Sequence, residues 1–197
     1  MAGSNQDERF STSVPSSLAV TGTYAIDSVG RGTMNLTNGA TYIFYMIAAS
    51  GAGGSPIATL QESASASDSS SVRHGMLVQQ SGLPSTANPL SGSYALILGG
   101  HTSGKEEDIV GQLTANASGS FTSGTLDINS FGVTTGATGE AVTGTFAAIS
   151  SNGRGVMTLN PTSDNRILVL YFVSPTQALI MSTDTTRLAV GSVYKQF

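Results

Sequence analysis

Val20-Thr-Gly-Thr-Tyr24 returns almost unchanged as Val142-Thr-Gly-Thr-Phe146, and each copy runs on into a Gly-Arg-Gly triplet, at Gly30-Arg-Gly32 and Gly153-Arg-Gly155. Further on, Tyr42-Ile-Phe-Tyr-Met46 is echoed by Leu168-Val-Leu-Tyr-Phe172. An apolar strand reaching Glu62 matches one reaching Asp184, and the segment 75–79 matches 191–196. Elements that repeat in the same order indicate two copies of one unit. The unit is a run of short apolar alternations broken by Gly, Asn, Asp and Ser, the pattern of antiparallel strands joined by tight turns. A meander of this kind cannot bury its apolar face alone. The two copies are therefore expected to share a single hydrophobic interior.

Outward from the repeat, strands are predicted at 20–27, 31–37, 41–48, 56–62, 74–80, 92–98, 108–115, 120–129, 142–149, 154–160, 166–174, 177–183 and 189–195. Residues 1–18 carry no periodic apolar signal and read as a flexible leader or linker. A single β-domain then spans 19–197, made of a repeat half at 20–80, a hairpin-rich insert at 90–132 and a second half at 142–197. The fold class is all-β: an antiparallel up-and-down meander with an internal two-fold repeat, closed as a flattened β-barrel, the alternative being a two-sheet sandwich. A single ring of about twelve strands would leave a lumen wider than side chains fill, since about eight is the number at which they just do.

Composition supports strands over helices. Charged residues are 10% of the 197, hydrophobic residues 39%, and there are 24 Gly. A formal charge of −4 with eight thinly spread Lys and Arg provides no basic patch for a phosphate backbone, so nucleic acid is excluded as a partner. The chain has no Cys, which removes disulfides, thiol catalysis and thiolate metal sites. No stretch reaches the roughly 18 to 20 apolar residues of a membrane helix, and Met1 to Phe10 lacks the apolar core of a signal peptide. Most strands carry Ser, Thr or Asn on one face, unlike a membrane barrel.

The chemistry-bearing motifs are weak. Gly99-Gly-His-Thr-Ser-Gly-Lys105 begins like a phosphate-binding loop, but Glu106 stands where Ser or Thr must hold magnesium and strand residues follow instead of a helix. It reads as a hairpin. Asp127-Ile-Asn129 with Gly132 opens like a calcium loop, then fails at Phe131 and Thr138. Glu106, Glu107 and Asp108 read as a solvated loop tip. His74 and His101 are the two His, each read as a surface or capping residue, and they fall short of a three-ligand zinc site. Glu62 and Asp184, at matching places in the two halves, are the candidate carboxylate pair. No cofactor or metal is implied, and no catalytic residue is assigned.

The candidate binding residues lie in the repeat. Tyr42 to Ile47 and Leu168 to Val173 are apolar on both faces, which predicts strands covered on both sides. One face could instead meet a ligand or a partner, and on that reading Tyr42, Phe44, Met46 and Tyr171 line it. Arg31 and Arg154, each between two Gly, are placed to pair with an acid or to meet an anionic ligand.

Together, Gly22-Thr-Tyr24, Gly30-Arg-Gly-Thr33, Phe44-Tyr-Met46, Tyr171-Phe-Val-Ser-Pro175, Gln177-Ala-Leu179 with Thr183-Asp184, Gly111-Gln-Leu-Thr-Ala115 and Gly124-Thr-Leu-Asp-Ile-Asn129 carry a resemblance. The chain from 20 to 196 resembles a repeated β-module of uncharacterised secreted or surface proteins of soil bacteria, especially acidobacteria. The resemblance implies export, a secreted or cell-surface location and tandem arrangement, and it transfers no catalytic residue. The Gly-x-Tyr strand openings are also similar, more weakly, to those of lipocalin-like barrels. The functions these readings admit are a non-catalytic extracellular module for surface adhesion, binding or spacing, a carrier of a small apolar ligand, and a hydrolase of glycans or esters. The partners are correspondingly a small apolar ligand, a glycan or a neighbouring module.

Overall fold

The computed structural model describes residues 4–7, 17–37, 39–47, 56–63, 74–85, 87, 89–102, 105–130, 137–162, 164–183 and 185–197. They form strands in antiparallel pairing: β1 (Ser4–Asp7), β2 (Ser17–Val20), β3 (Gly22–Ile26), β4 (Arg31–Leu36), β5 (Thr41–Met46), β6 (Pro56–Glu62), β7 (His74–Val78), β8 (Gly92–Thr102), β9 (Lys105–Ala115), β10 (Ser120–Ser130), β11 (Ala137–Phe146), β12 (Arg154–Pro161), β13 (Arg166–Ser174), β14 (Gln177–Ser182) and β15 (Arg187–Lys195). The leader, expected to be flexible, contributes β1, which pairs with β2 from Ser4 opposite Val20 to Asp7 opposite Ser17. Ladder hydrogen bonds are made by the backbone, so pairing there needs no apolar alternation.

Strands β8 to β15 close into a barrel in the ring order β10-β11-β12-β13-β14-β15-β8-β9. Closure rests on β15 meeting β8 over nine paired positions, from Arg187 opposite Thr102 to Lys195 opposite Tyr94. Alternation sends one set of side chains inward. All eight strands feed one buried cluster, which includes Leu98, Leu113, Leu126, Val142, Leu159, Phe172, Ile180 and Val193. Eight is the strand number at which side chains just fill the interior. A ring of this size satisfies that limit with the second repeat half and the insert alone.

The first repeat half forms an open sheet in the order β3-β4-β5-β6-β7. Its buried cluster is its own: Met34, Phe44 and Ala58, with Leu36, Tyr42, Met46, Leu60 and Leu77 packed against it. The expected common interior is thus replaced by two clusters in two compact units, one holding β1 to β7 and the other β8 to β15. The physical reason is that the insert supplies the three strands that close the second half, β8 to β10.

The repeat itself holds strand for strand. Arg31 pairs with Tyr45 and Gly32 with Phe44, as Arg154 does with Tyr171 and Gly155 with Leu170. Leu60 pairs with Gly75 as Ile180 does with Gly191. The hairpins match as well. In both, a backbone N–H donates across the loop, Asp27 to Arg31 at 2.9 Å and Ser150 to Arg154 at 2.8 Å, and the fourth residue is a glycine at positive φ, Gly30 at 85° and Gly153 at 81°. The insert builds the same turn, with Asn116 donating to Ser120 and Gly119 at 87°. A three-residue loop ending in a left-handed residue matches the twist of the flanking strands, and glycine adopts it without a Cβ clash. Asp27 Oδ1 accepts from the N–H of Val29 and Arg31, and Asn116 Oδ1 from those of Ser118 and Ser120, so the loops carry their own bracing.

The two strands expected to be covered on both sides part company here. In β13, inward Leu168, Leu170 and Phe172 and outward Val169 and Val173 are all buried. In β5, Phe44 is buried while Tyr45, on the opposite face, is exposed, as is Ile47 just beyond the strand.

Replacing Leu126, fully buried at the barrel centre, by Ala is expected to lose about 2–5 kcal/mol in urea denaturation. Gly153→Ala places a Cβ on a residue at φ 81° and is expected to lose about 1–2 kcal/mol. A loss within about 0.5 kcal/mol for Leu126→Ala would contradict the packed interior.

Candidate functional site

The barrel interior is layered. At the end where β8, β10 and β12 begin, it is apolar and aromatic. Phe121 and Phe146 pack with ring centroids 5.4 Å apart, Leu90 and Ile149 are buried in the same cluster, and Tyr94 is buried beside them. The Tyr94 hydroxyl donates to the Ser91 carbonyl at 3.3 Å and accepts from the Ser91 N–H at 3.2 Å. Burial pushes the phenol up from its ordinary range, against the smaller opposing effect of the Ser91 hydrogen bond.

At the opposite end, the inward positions turn polar. Glu107 occupies the inward phase of β9 two residues before Ile109, Arg166 that of β13 two before Leu168, and Arg187 that of β15 two before Ala189. All three are buried, Glu107 at 5% exposed and Arg166 at 3%. Strands β9 and β13 stand diametrically opposite in the ring, four strands apart by either path. The 2.8 Å contact from Arg166 Nη1 to Glu107 Oε1 therefore crosses the barrel like a strut. Arg187 Nε reaches the same oxygen at 3.1 Å, and Ser130 Oγ donates to Glu107 Oε2 at 3.2 Å. Arg187 Nη2 is held in turn by the partly exposed Asp164. Close by in sequence, Thr162 donates to the buried Glu140 at 2.8 Å.

Burial alone would push the Glu107 carboxyl up. The hydrogen bond from Arg166 and the charges of Arg166 and Arg187 outweigh it and hold the group below the usual carboxylate range. The carboxylate is thus ionised, with both oxygens engaged, and suits a structural anchor better than a proton donor. The buried Arg166 Nε has no partner among the described residues, so the layer retains hydrogen-bonding capacity for a small polar guest such as water.

This cluster was not foreseen. Glu106, Glu107 and Asp108 read as a loop tip, yet β9 begins at Lys105, and alternation leaves Glu106 and Asp108 exposed while sending Glu107 inward. The usable signal was phase: each of Glu107, Arg166 and Arg187 starts an every-second-residue series that continues as buried apolar side chains.

The residues singled out from sequence are dispersed. Tyr42, Phe44 and Met46 share one face of β5 in the open sheet, with Phe44 buried and its ring lying where a Cβ on Gly32 would come within 2.2 Å. Tyr171 and Arg154 are half-buried opposite neighbours on the outer wall of the barrel, and Arg31 stands opposite Tyr45 in the open sheet. Glu62 pairs with Tyr42 as Ser182 does with Leu168, so register matches Glu62 to Ser182 and not to Asp184. Asp184 lies outside the described residues. His74 is exposed opposite Gln61, and His101 is exposed opposite Glu106. Gly99 to Thr102 and Lys105 belong to paired strands, as the hairpin reading expected. Asp127 Oδ1 accepts the Gly139 N–H at 2.7 Å, and among the described residues no three His, Asp or Glu converge as metal ligands.

Glu107→Ala would leave two buried guanidinium groups facing each other and is expected to lose about 3–5 kcal/mol in urea denaturation at neutral pH. A depressed folded pKa means that the unfolded chain binds the proton more readily. The stabilisation from Glu107 is therefore present above the ordinary carboxylate value of about 4.3 and drains away as pH falls through the lower folded value. Glu107→Gln is expected to flatten this acid limb relative to the unaltered chain, measured by denaturation midpoints from neutral to about pH 3. An unchanged pH profile would count against the strut.

A scan against protein-family models finds none that matches this chain, and a search of curated proteins finds no significant match.

Proposed function

We propose that the chain is a non-catalytic extracellular β-module, secreted or displayed at a cell surface, that adheres to glycan surfaces through its outer wall. The observation that carries this reading is a duplicated side-chain pair. Arg31 opposite Tyr45 and Arg154 opposite Tyr171 occupy the same register of the two meanders and the same outward phase. A guanidinium beside a phenol ring offers fork-like donors next to an apolar face, the combination that meets a sugar's hydroxyl groups and its C–H surface. Duplication of the pair supplies two such contacts per chain, which raises retention on a repetitive surface.

The filled interior supports the same reading over a lipocalin-like carrier. A carrier needs a lumen, and here inward side chains of all eight strands meet in one cluster. The Glu107 carboxylate at the polar end of that interior is spent on two Arg.

Retention on insoluble polysaccharide or cell-wall preparations tests the proposal. The unaltered chain is expected to be retained, and the double substitution Arg154→Ala with Tyr171→Ala to cut retention by about tenfold, the equivalent of about 1.4 kcal/mol. Saturable one-to-one uptake of a fluorescent fatty-acid analogue would transfer the assignment to a carrier. Hydrolysis of a chromogenic ester or glycoside lost on His74→Ala or His101→Ala would transfer it to an enzyme.

A further inference from the structure

One seam of the barrel wall carries a break in its pairing. Along β10 and β11, Phe121 stands opposite Gly144 and the next pair is Thr125 opposite Ala141, so four steps of one strand are matched by three of the other. The surplus residue is Thr122, because on its other side β10 passes from Phe121 opposite Ala115 straight to Ser123 opposite Thr114. A bulge of this kind bends its strand and interrupts the ladder. Thr122, Ser123 and Gly124 therefore face Val142 and Thr143 without forming cross-strand pairs. The inner side of the seam stays shut. A Cβ on Gly124 would come within 2.8 Å of Val142 Cγ1 and 2.9 Å of Leu113 Cδ2, both core side chains. On the outer side the seam opens as a groove of about 360 Å³, bounded by Thr122, Ser123, Ala141, Thr143, Asn160 and Thr162.

We propose that this groove binds one uncharged sugar unit, at a site separate from the Arg154 and Tyr171 pair. Its size falls within the range of small-molecule sites, which begins at about 300 Å³. Among the described residues that line it none is charged, so an ion would find no counter-charge there. An apolar guest would strip water from the hydroxyls of Ser123 and Thr143 and from the Asn160 carboxamide without replacing the lost hydrogen bonds. A sugar replaces them, since its hydroxyls, like these groups, both donate and accept. Thr143 and Asn160 stand opposite each other in the β11 to β12 ladder, both exposed, and so can meet one ring from the same side. The proposal rests on the glycan reading above and adds a second site to it. Arg154 and Asn160 lie at the two ends of the outward face of β12, about 20 Å apart at the rise of an extended strand. One glycan strand lying along β12 can therefore engage both sites.

Titration calorimetry with cellohexaose, xylohexaose and mannohexaose tests the groove. At least one of these neutral oligosaccharides is expected to bind the unaltered chain, and the double substitution Thr143→Val with Asn160→Leu to weaken that binding at least about tenfold. Both residues are exposed, so the urea midpoint of this variant is expected to stay where it is in the unaltered chain. In amide spectra of the unaltered chain, the bound oligosaccharide is expected to shift Ser123, Gly124, Thr143 and Asn160. Failure of all three to bind, or shifts that leave these four amides unmoved, would overturn the proposal. Binding that survives Thr143→Val with Asn160→Leu but is lost on Arg154→Ala with Tyr171→Ala would remove the groove and leave the glycan reading standing. The converse result would keep the groove and remove the Arg and Tyr pair.

Discussion

The pairing of β15 with β8 is the constraint from which the rest of the larger unit follows. Before it forms, β8 to β15 are a meander with two exposed edges. Once Arg187 to Lys195 lie along Thr102 to Tyr94, there is no edge left and the inward side chains face only one another. The contact joins segments far apart in sequence, so its loop-closure cost is met only when the interior is buried all at once. Closure also removes water from the polar end, and this is why Glu107 and its two Arg must satisfy one another.

The interior is graded along the barrel axis. The aromatic end needs no polar partner beyond the Tyr94 hydroxyl, which bonds to Ser91. The charged end joins three strands through a single carboxylate, with the Arg166 contact spanning the diameter. Buried ion pairs of this kind add little over a well-packed apolar layer, but they are unforgiving of a missing partner or a shifted register. A one-residue slip of β9 would turn Glu107 out to solvent and bring Glu106 or Asp108 inward, so the cluster also serves to hold the ring in register.

The duplication separates what a meander encodes from what its setting adds. Both copies build the same turns and the same cross-strand pairs, including the Arg beside Tyr on the outer face. Phe146 is nonetheless buried and Tyr24 exposed, because β10 lies beside one and not the other. The charged cluster has no counterpart in the first copy: Glu107 comes from the insert, and Arg166 corresponds in register to Ala40. A repeat-based reading could therefore not find the cluster, since it looks for residues that recur.

Residues read in isolation determined the strands, their order and the hairpins. Period-two alternation and glycine at positive φ act within a few residues, and the segments from β4 to β14 fall close to where those signals put them. Only the tertiary structure decided that five strands stay open while eight close, and that Glu107 meets an arginine 59 residues further along the chain. Both depend on which distant edges pair, and a strand's own residues specify its faces but not the neighbour across its edge.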